Sequence, residues 1–187
     1  MRTMRAALRM AGPTLGTVLG LVLGVVLLGA SAAHRVEGGA TQAKPCATAE
    51  YHQFDFFVGQ WNVYDAKGRS LGSDVVEKRL NGCVLYERYT NPDGSVGVGL
   101  SGYQAKKGTW HQDFMGDDGL VVLLDGTTGR LAAMVMSGQD YPSDGSRRLD
   151  RGVWILHGAI VEETWTVSTD GGRTWKTQFH GFFHRKR

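Results

Sequence analysis

Four side chains in this 187-residue chain have the type and setting for acid–base work: Glu87, Asp113, Glu163 and Arg151, each inside a short run of mixed polarity. Glu87 follows Cys83 and Leu85 at intervals of two, and Glu163 lies between Val161 and Trp165 at the same interval. Residues two apart share one face of a strand, so these carboxylates accompany apolar neighbours into whatever interior that face meets. A carboxylate carried inside must find a cation or hydrogen-bond donors. Arg151, alternating with Leu149, Val153 and Ile155, is the expected counter-ion. Such a cluster can orient the polar end of a bound molecule, or a buried Glu can act as a general acid or base. A purely stabilising internal ion pair is the competing expectation.

Other chemistry finds less support. His180 and His184 share a strand face but stand four residues apart, roughly 13 Å at strand rise, too far to chelate one ion. His111 and Asp113 would need a third ligand from another strand, so neither a metal site nor a cofactor is expected. Gly97-Val98-Gly99-Leu100-Ser101-Gly102 fits G-x-G-x-x-G, and Gly68-Arg69-Ser70-Leu71-Gly72 fits G-x-S-x-G. No helix follows either, so there is no helix N-terminus for a pyrophosphate and no nucleophile elbow. The first run is informative in another way. Gly97, Gly99 and Ser101 alternate onto one face that is nearly bare of side chains, either because the sheet bends there or because room is left for a ligand.

The elements that position these residues are short strands separated by turn signals every 8 to 12 residues or so, the rhythm of a sandwich or barrel. Asn81-Gly82 joins two strand-like runs as a tight hairpin, since both residues accept positive φ. Asn91-Pro92-Asp93-Gly94 suits a type I turn, and Lys106-Lys107-Gly108, Gly116-Asp117-Asp118-Gly119 and Thr127-Thr128-Gly129 mark further reversals. Tyr51 to Phe57 has room for one short helical turn, and no later stretch sustains a helical period. About ten antiparallel strands with sequential neighbours paired predict an all-β, closed up-and-down barrel, because closure removes both exposed edges. A two-sheet sandwich is the alternative, and pairing between the first and last strands decides between them.

Residues 1–33 read differently. Arg2, Arg5 and Arg9 form a basic region without acids, an apolar run spans Leu15 to Leu28, and Ala30-Ser31-Ala32-Ala33 offers a small-residue cleavage site. This is the pattern of a signal peptide cut after Ala32 or Ala33, and it predicts export to a periplasmic or extracellular space. An uncleaved anchoring helix is the alternative. Residues 34–53 read as a flexible lead-in and 54–187 as the folded domain. The formal charge of +3 belongs to the leader. Its three Arg take the 21 basic residues down to 18, matching the 18 acidic ones. A neutral domain lacks the cationic surplus that polyanion binding needs, so no nucleic-acid partner is expected, and no stable membrane insertion follows signal cleavage. Cys46 and Cys83 are the only two cysteines, and in an oxidising space they predict a disulfide.

Particular residues add a resemblance. Gly59-Gln60-Trp61 opens the first strand and Arg185 follows the last, which is similar to the calycin superfamily, where a G-x-W indole packs across the barrel floor near a basic side chain of the last strand. The wider set Phe54-Asp55-Phe56-Phe57-Val58-Gly59-Gln60-Trp61, Gly82-Cys83-Val84-Leu85-Tyr86-Glu87 and Trp110-His111-Gln112 resembles a bacterial exported family of unknown function with a calycin-like, lipocalin-like barrel. Phe57 stands where that pattern more commonly has Trp. Ser168-Thr169-Asp170-Gly171-Gly172-Arg173-Thr174-Trp175 resembles an Asp-box, here a hairpin staple. Together these readings predict a barrel that binds a small, apolar or amphipathic molecule. Tyr89, Tyr103, Trp110, Phe114 and Trp165 would line the cavity, while Glu87, Gln112, Arg151 and Glu163 would handle its polar end. A cavity enzyme and an envelope interaction protein with a filled barrel are the other two expectations.

Overall fold

The computed structural model describes residues 44–129 and 133–187, so the expected signal peptide lies outside the described residues. Ten strands follow in order: β1 (Gly59–Tyr64), β2 (Ser70–Arg79), β3 (Val84–Thr90), β4 (Val96–Gln104), β5 (Thr109–Gly116), β6 (Val121–Thr128), β7 (Ala133–Tyr141), β8 (Arg148–His157), β9 (Ile160–Ser168) and β10 (Lys176–Arg185). Each pairs antiparallel with its neighbour in sequence, and β1 pairs with β10 from Trp61↔Arg185 to Tyr64↔Phe182, closing the barrel. That last pairing excludes the sandwich. The β2–β3 hairpin forms at Asn81-Gly82, with Leu80, Asn81 and Gly82 at φ 49°, 59° and 90°, but the strand pairing stops at Arg79↔Val84, so the loop is the four residues Leu80–Cys83 rather than a two-residue turn. The Asn91 turn closes through the Gly94 amide on the Asn91 carbonyl at 3.0 Å.

Alternation along the strands fills one half of the barrel with aromatic side chains. Trp61, Trp110, Trp154 and Phe183 point inward near one end, and the short 3₁₀ turn Asp55–Phe57 seals that end from below. Phe54 stacks on Phe57 at 5.5 Å and meets Trp154 edge-on at 5.4 Å. Full burial of a Phe stabilises by about 1.5–3 kcal/mol, so this dry floor is the main anchor of the fold. The Trp61 indole donates to the Phe57 carbonyl at 2.9 Å, and the Arg185 guanidinium lies over its ring at 4.4 Å while donating to the Val58 carbonyl. This is the floor arrangement that the calycin resemblance implies.

The described part of the expected lead-in is tied to the barrel. Cys46 and Cys83 form a disulfide, Tyr51 in the turn Ala49–His52 packs edge-on against Tyr103 at 5.3 Å, and Gln53 accepts from Trp110. The Asp-box-like turn is a staple as read. The Thr174 hydroxyl donates to Asp170 Oδ2 at 2.7 Å, and the Thr174 amide, the Ser168 hydroxyl and the Arg173 amide donate to Oδ1; together these bonds, the Thr174 hydroxyl foremost, hold its carboxyl down at about 2. Among the described residues no helix is long and apolar enough to cross a membrane.

The disulfide closes a loop with a sequence separation of 37, and restricting that loop in the unfolded chain is worth about 4 kcal/mol. The paired Cys46→Ser, Cys83→Ser variant should therefore lose about that much stability in urea unfolding. An unchanged midpoint would show that the link does nothing for the fold.

Candidate functional site

The end of the barrel opposite the aromatic floor is hollow. A cavity of about 400 Å³ opens there, between the last residues of β3, β5, β7 and β9 and the first residues of β4, β6, β8 and β10. Of the residues expected to serve a ligand, Glu87, Tyr89, Phe114, Glu163 and Trp165 line it. Gln112 stands behind them, its Nε2 donating to Glu87 Oε2 at 3.1 Å. Phe179, Val122 and Leu120 add apolar wall, and Asp140, Arg148 and Asp150 stand toward the opening.

Three expected residues lie elsewhere. Trp110 belongs to the floor, where its indole donates to Gln53 Oε1 at 3.1 Å, and Tyr103 packs on Tyr51 outside the cavity. Arg151 is corrected outright: it is exposed on the outer surface, with its guanidinium 4.3 Å from the centre of the Trp175 ring. The inward face of β8 is the other one, carrying Asp150, Gly152 and Trp154. Leu149, Val153 and Ile155 are half-buried on the outside, which gives that face the apolar look that suggested an interior.

The bare face of β4 points inward, and the protein itself uses the space. A Cβ at Gly97 would come within 2.2 Å of Phe114 Cζ, and one at Gly99 within 3.0 Å of Glu87 Oε2. The two glycines thus make room for a ring and a carboxylate of the cavity wall rather than for a ligand directly.

Deeper in the barrel, Asp74 on β2 joins Glu87 and Glu163, and all three are buried. Among the described residues no Lys, Arg or His lies within salt-bridge distance of any of them. Neither Asp74 oxygen has a well-formed hydrogen bond. Burial therefore dominates their titration. It pushes Glu163 up to about 8, with the Asp74 charge adding and the nearby Trp154 indole opposing. Glu87 is raised well above the usual carboxylate range by burial, then by Asp74 and Glu163. Asp74 is raised to about 7, against the Val75 amide and the Lys186 charge. Burial also raises the Tyr89 hydroxyl, which donates to the Leu71 carbonyl. At the opening, Asp150 is raised to about 6 by burial even though the Trp165 indole donates to it.

Asp74, Asp140, Arg148 and Asp150 were not singled out from sequence. Asp74 sits two residues before the apolar Val76, the kind of flanking that marks Glu87 and Glu163, whereas Asp150 has only Arg148 and Gly152 at that interval and so carries no such signal. Asp140 and Arg148 face each other in register across β7 and β8, with Arg148 Nε 2.9 Å from Asp140 Oδ2. The histidines serve the outer surface: His111 bridges Asp113 and Asp125, and His180 pairs with Glu162. No group of three or more His, Cys, Asp or Glu among the described residues is arranged to hold a metal ion.

The chain matches no protein-family model, and no curated protein matches it significantly.

The raised carboxyls make stability depend on pH. A carboxyl whose folded pKa exceeds its unfolded value binds more protons when folded, so stability falls as pH rises between the two. For Glu163 that window runs from about 4.3, the unfolded value, to about 8. Urea midpoints of the parent protein should therefore fall from pH 5 to pH 8, and Glu163→Gln should flatten the decline. A parent midpoint that rises across this range would contradict the assignment.

Proposed function

We propose that this protein is an exported barrel that holds a small, largely apolar molecule in its open half. The observation that carries the reading is the cavity of about 400 Å³, whose wall sets Phe114, Trp165 and Phe179 beside Glu87 and Glu163. Apolar walls with a few convergent polar groups are what small-molecule sites require, and the volume suits a ligand of modest size. Glu87, steadied by Gln112, and Glu163 orient the polar end of the ligand. The resemblance to the calycin-like exported family supports the same reading. So does the disulfide, which fits the oxidising compartment to which the expected leader at residues 1–33 would deliver the chain. The cavity weighs against a barrel that is filled and acts only through its outer surface.

A second reading has its own observation. With Glu163 raised to about 8, both its acid and base forms are populated near neutrality, the condition for general acid–base catalysis on a molecule held in the same cavity.

The test uses protein recovered from the exported fraction, with intact mass beginning at residue 33 or 34, and the apolar fluorescent probe N-phenyl-1-naphthylamine. Its fluorescence should rise with one-to-one saturation. Leu120→Trp, which fills the opening, should abolish that rise with the circular dichroism spectrum retained. No enhancement with the parent protein would sink the binding reading.

A further inference from the structure

The charge around the cavity is one-sided. Glu87, Asp140, Asp150 and Glu163 line it, with Asp117 and Asp118 at the rim, against one cation among the described residues, Arg148. Arg148 is already engaged by Asp140 through Nε and Nη2. Asp117 and Asp118 are spent on backbone amides, those of Val96 and Leu120. The inner wall is different. Glu163 is 7% exposed, lines the cavity and accepts no well-formed hydrogen bond among the described residues, while Asp150, 1% exposed nearer the opening, accepts from the Trp165 indole through one oxygen and has no partner on the other. Carboxyl groups that reach a cavity without a protein counter-ion keep their protons until a cation from outside takes the proton's place. Tyr89, Phe114, Trp165 and Phe179 stand around the same space, and aromatic faces attract a desolvated cation as well as apolar carbon.

We propose that the ligand is an amphipathic organic amine, its ammonium against the acidic wall of Glu87, Glu163 and Asp150 and its apolar part against Phe114 and Phe179. This rests on the binding reading above and specifies its ligand. An anionic ligand would face acidic groups with no free cation among the described residues to receive it. A neutral one would leave the wall protonated and form no ion pair with it. The ammonium enters charged, and a carboxylic acid of the wall gives its proton to the buffer, so a carboxylate–ammonium pair forms and one proton is released. The groups that set this exchange are Asp74 on β2, Glu87 and Tyr89 on β3, Asp140 on β7, Arg148 and Asp150 on β8, Glu163 on β9, and Lys186 beyond β10.

Isothermal titration calorimetry with three probes of one shape tests it: 4-phenylbutylamine, 4-phenylbutan-1-ol and 4-phenylbutanoate, near pH 7 in buffers of different ionisation enthalpy. The amine should bind at least about tenfold more tightly than the alcohol, the scale of one charge-assisted contact. It should also release about one proton per molecule bound, while the alcohol releases none and the acid does not bind. Glu163→Gln, nearly isosteric, should remove most of the amine's advantage over the alcohol and abolish the proton release. Should that variant fail to fold, Asp150→Asn is read in the same way. An alcohol that binds as tightly as the amine overturns the ligand class while leaving the cavity a binding site. So does binding of the naphthylamine probe with none of the three phenylbutyl compounds. Failure of the naphthylamine probe as well overturns the binding reading itself.

Discussion

Closure of β1 onto β10 is the constraint on which the rest of the molecule depends. Once Trp61 to Tyr64 pair with Phe182 to Arg185, no sheet edge remains and every second residue of ten strands is committed to one enclosed volume. Arg185 reinforces the seam by covering the Trp61 ring and holding the Val58 carbonyl beneath it. The interior is finite, so each side chain that enters it displaces water or another side chain. What lies inside is therefore set by strand phase and residue size together.

That volume is divided unequally. At the floor, Phe54, Phe57, Trp61, Trp110, Trp154 and Phe183 exclude water and pack edge to face. Above them the inward positions turn acidic, with Asp74, Glu87 and Glu163 set among small residues such as Gly99 and Ser101. Carboxyls in such a place keep their protons to higher pH than they would in water, because ionisation without a partner is the costlier state. The dry floor and the acidic half are linked: the packing that stabilises the barrel is also what withholds solvent from the carboxyls. An arrangement that costs stability as pH rises, with no compensating ion pair, is the kind of local conflict found at functional sites.

Much of this was legible in the sequence. Asn81-Gly82 and the strands Gly59–Tyr64, Val96–Gln104, Arg148–His157 and Ile160–Ser168 follow from turn chemistry and alternation, and Cys46 with Cys83 from their number. Glu87 and Glu163 were readable as inward-facing because Leu85, Val161 and Trp165 share their faces. Arg151 was misread because β8 carries apolar residues on both faces, and shifting the choice by one residue exchanges the whole inner set for the outer. Asp150 was missed for the same reason. Tyr103 and Trp110 have the right phase or composition for a cavity wall, but they lie at the floor end. Which end of a strand meets the hollow half depends on how the Asp55–Phe57 turn plugs the barrel, and that is a tertiary fact.

The central claim is that Glu87 and Glu163 are buried in the open half without a counter-ion among the described residues. It is tested most directly by following the side-chain carboxyl ¹³C shifts of Glu87 and Glu163 by NMR across a pH titration of the ligand-free protein. The account predicts that Glu163 titrates with a midpoint near 8 and that Glu87 is also far above the ordinary range. Midpoints near the unperturbed value of about 4.3 for both would mean that water or a cation reaches them freely, and would contradict it.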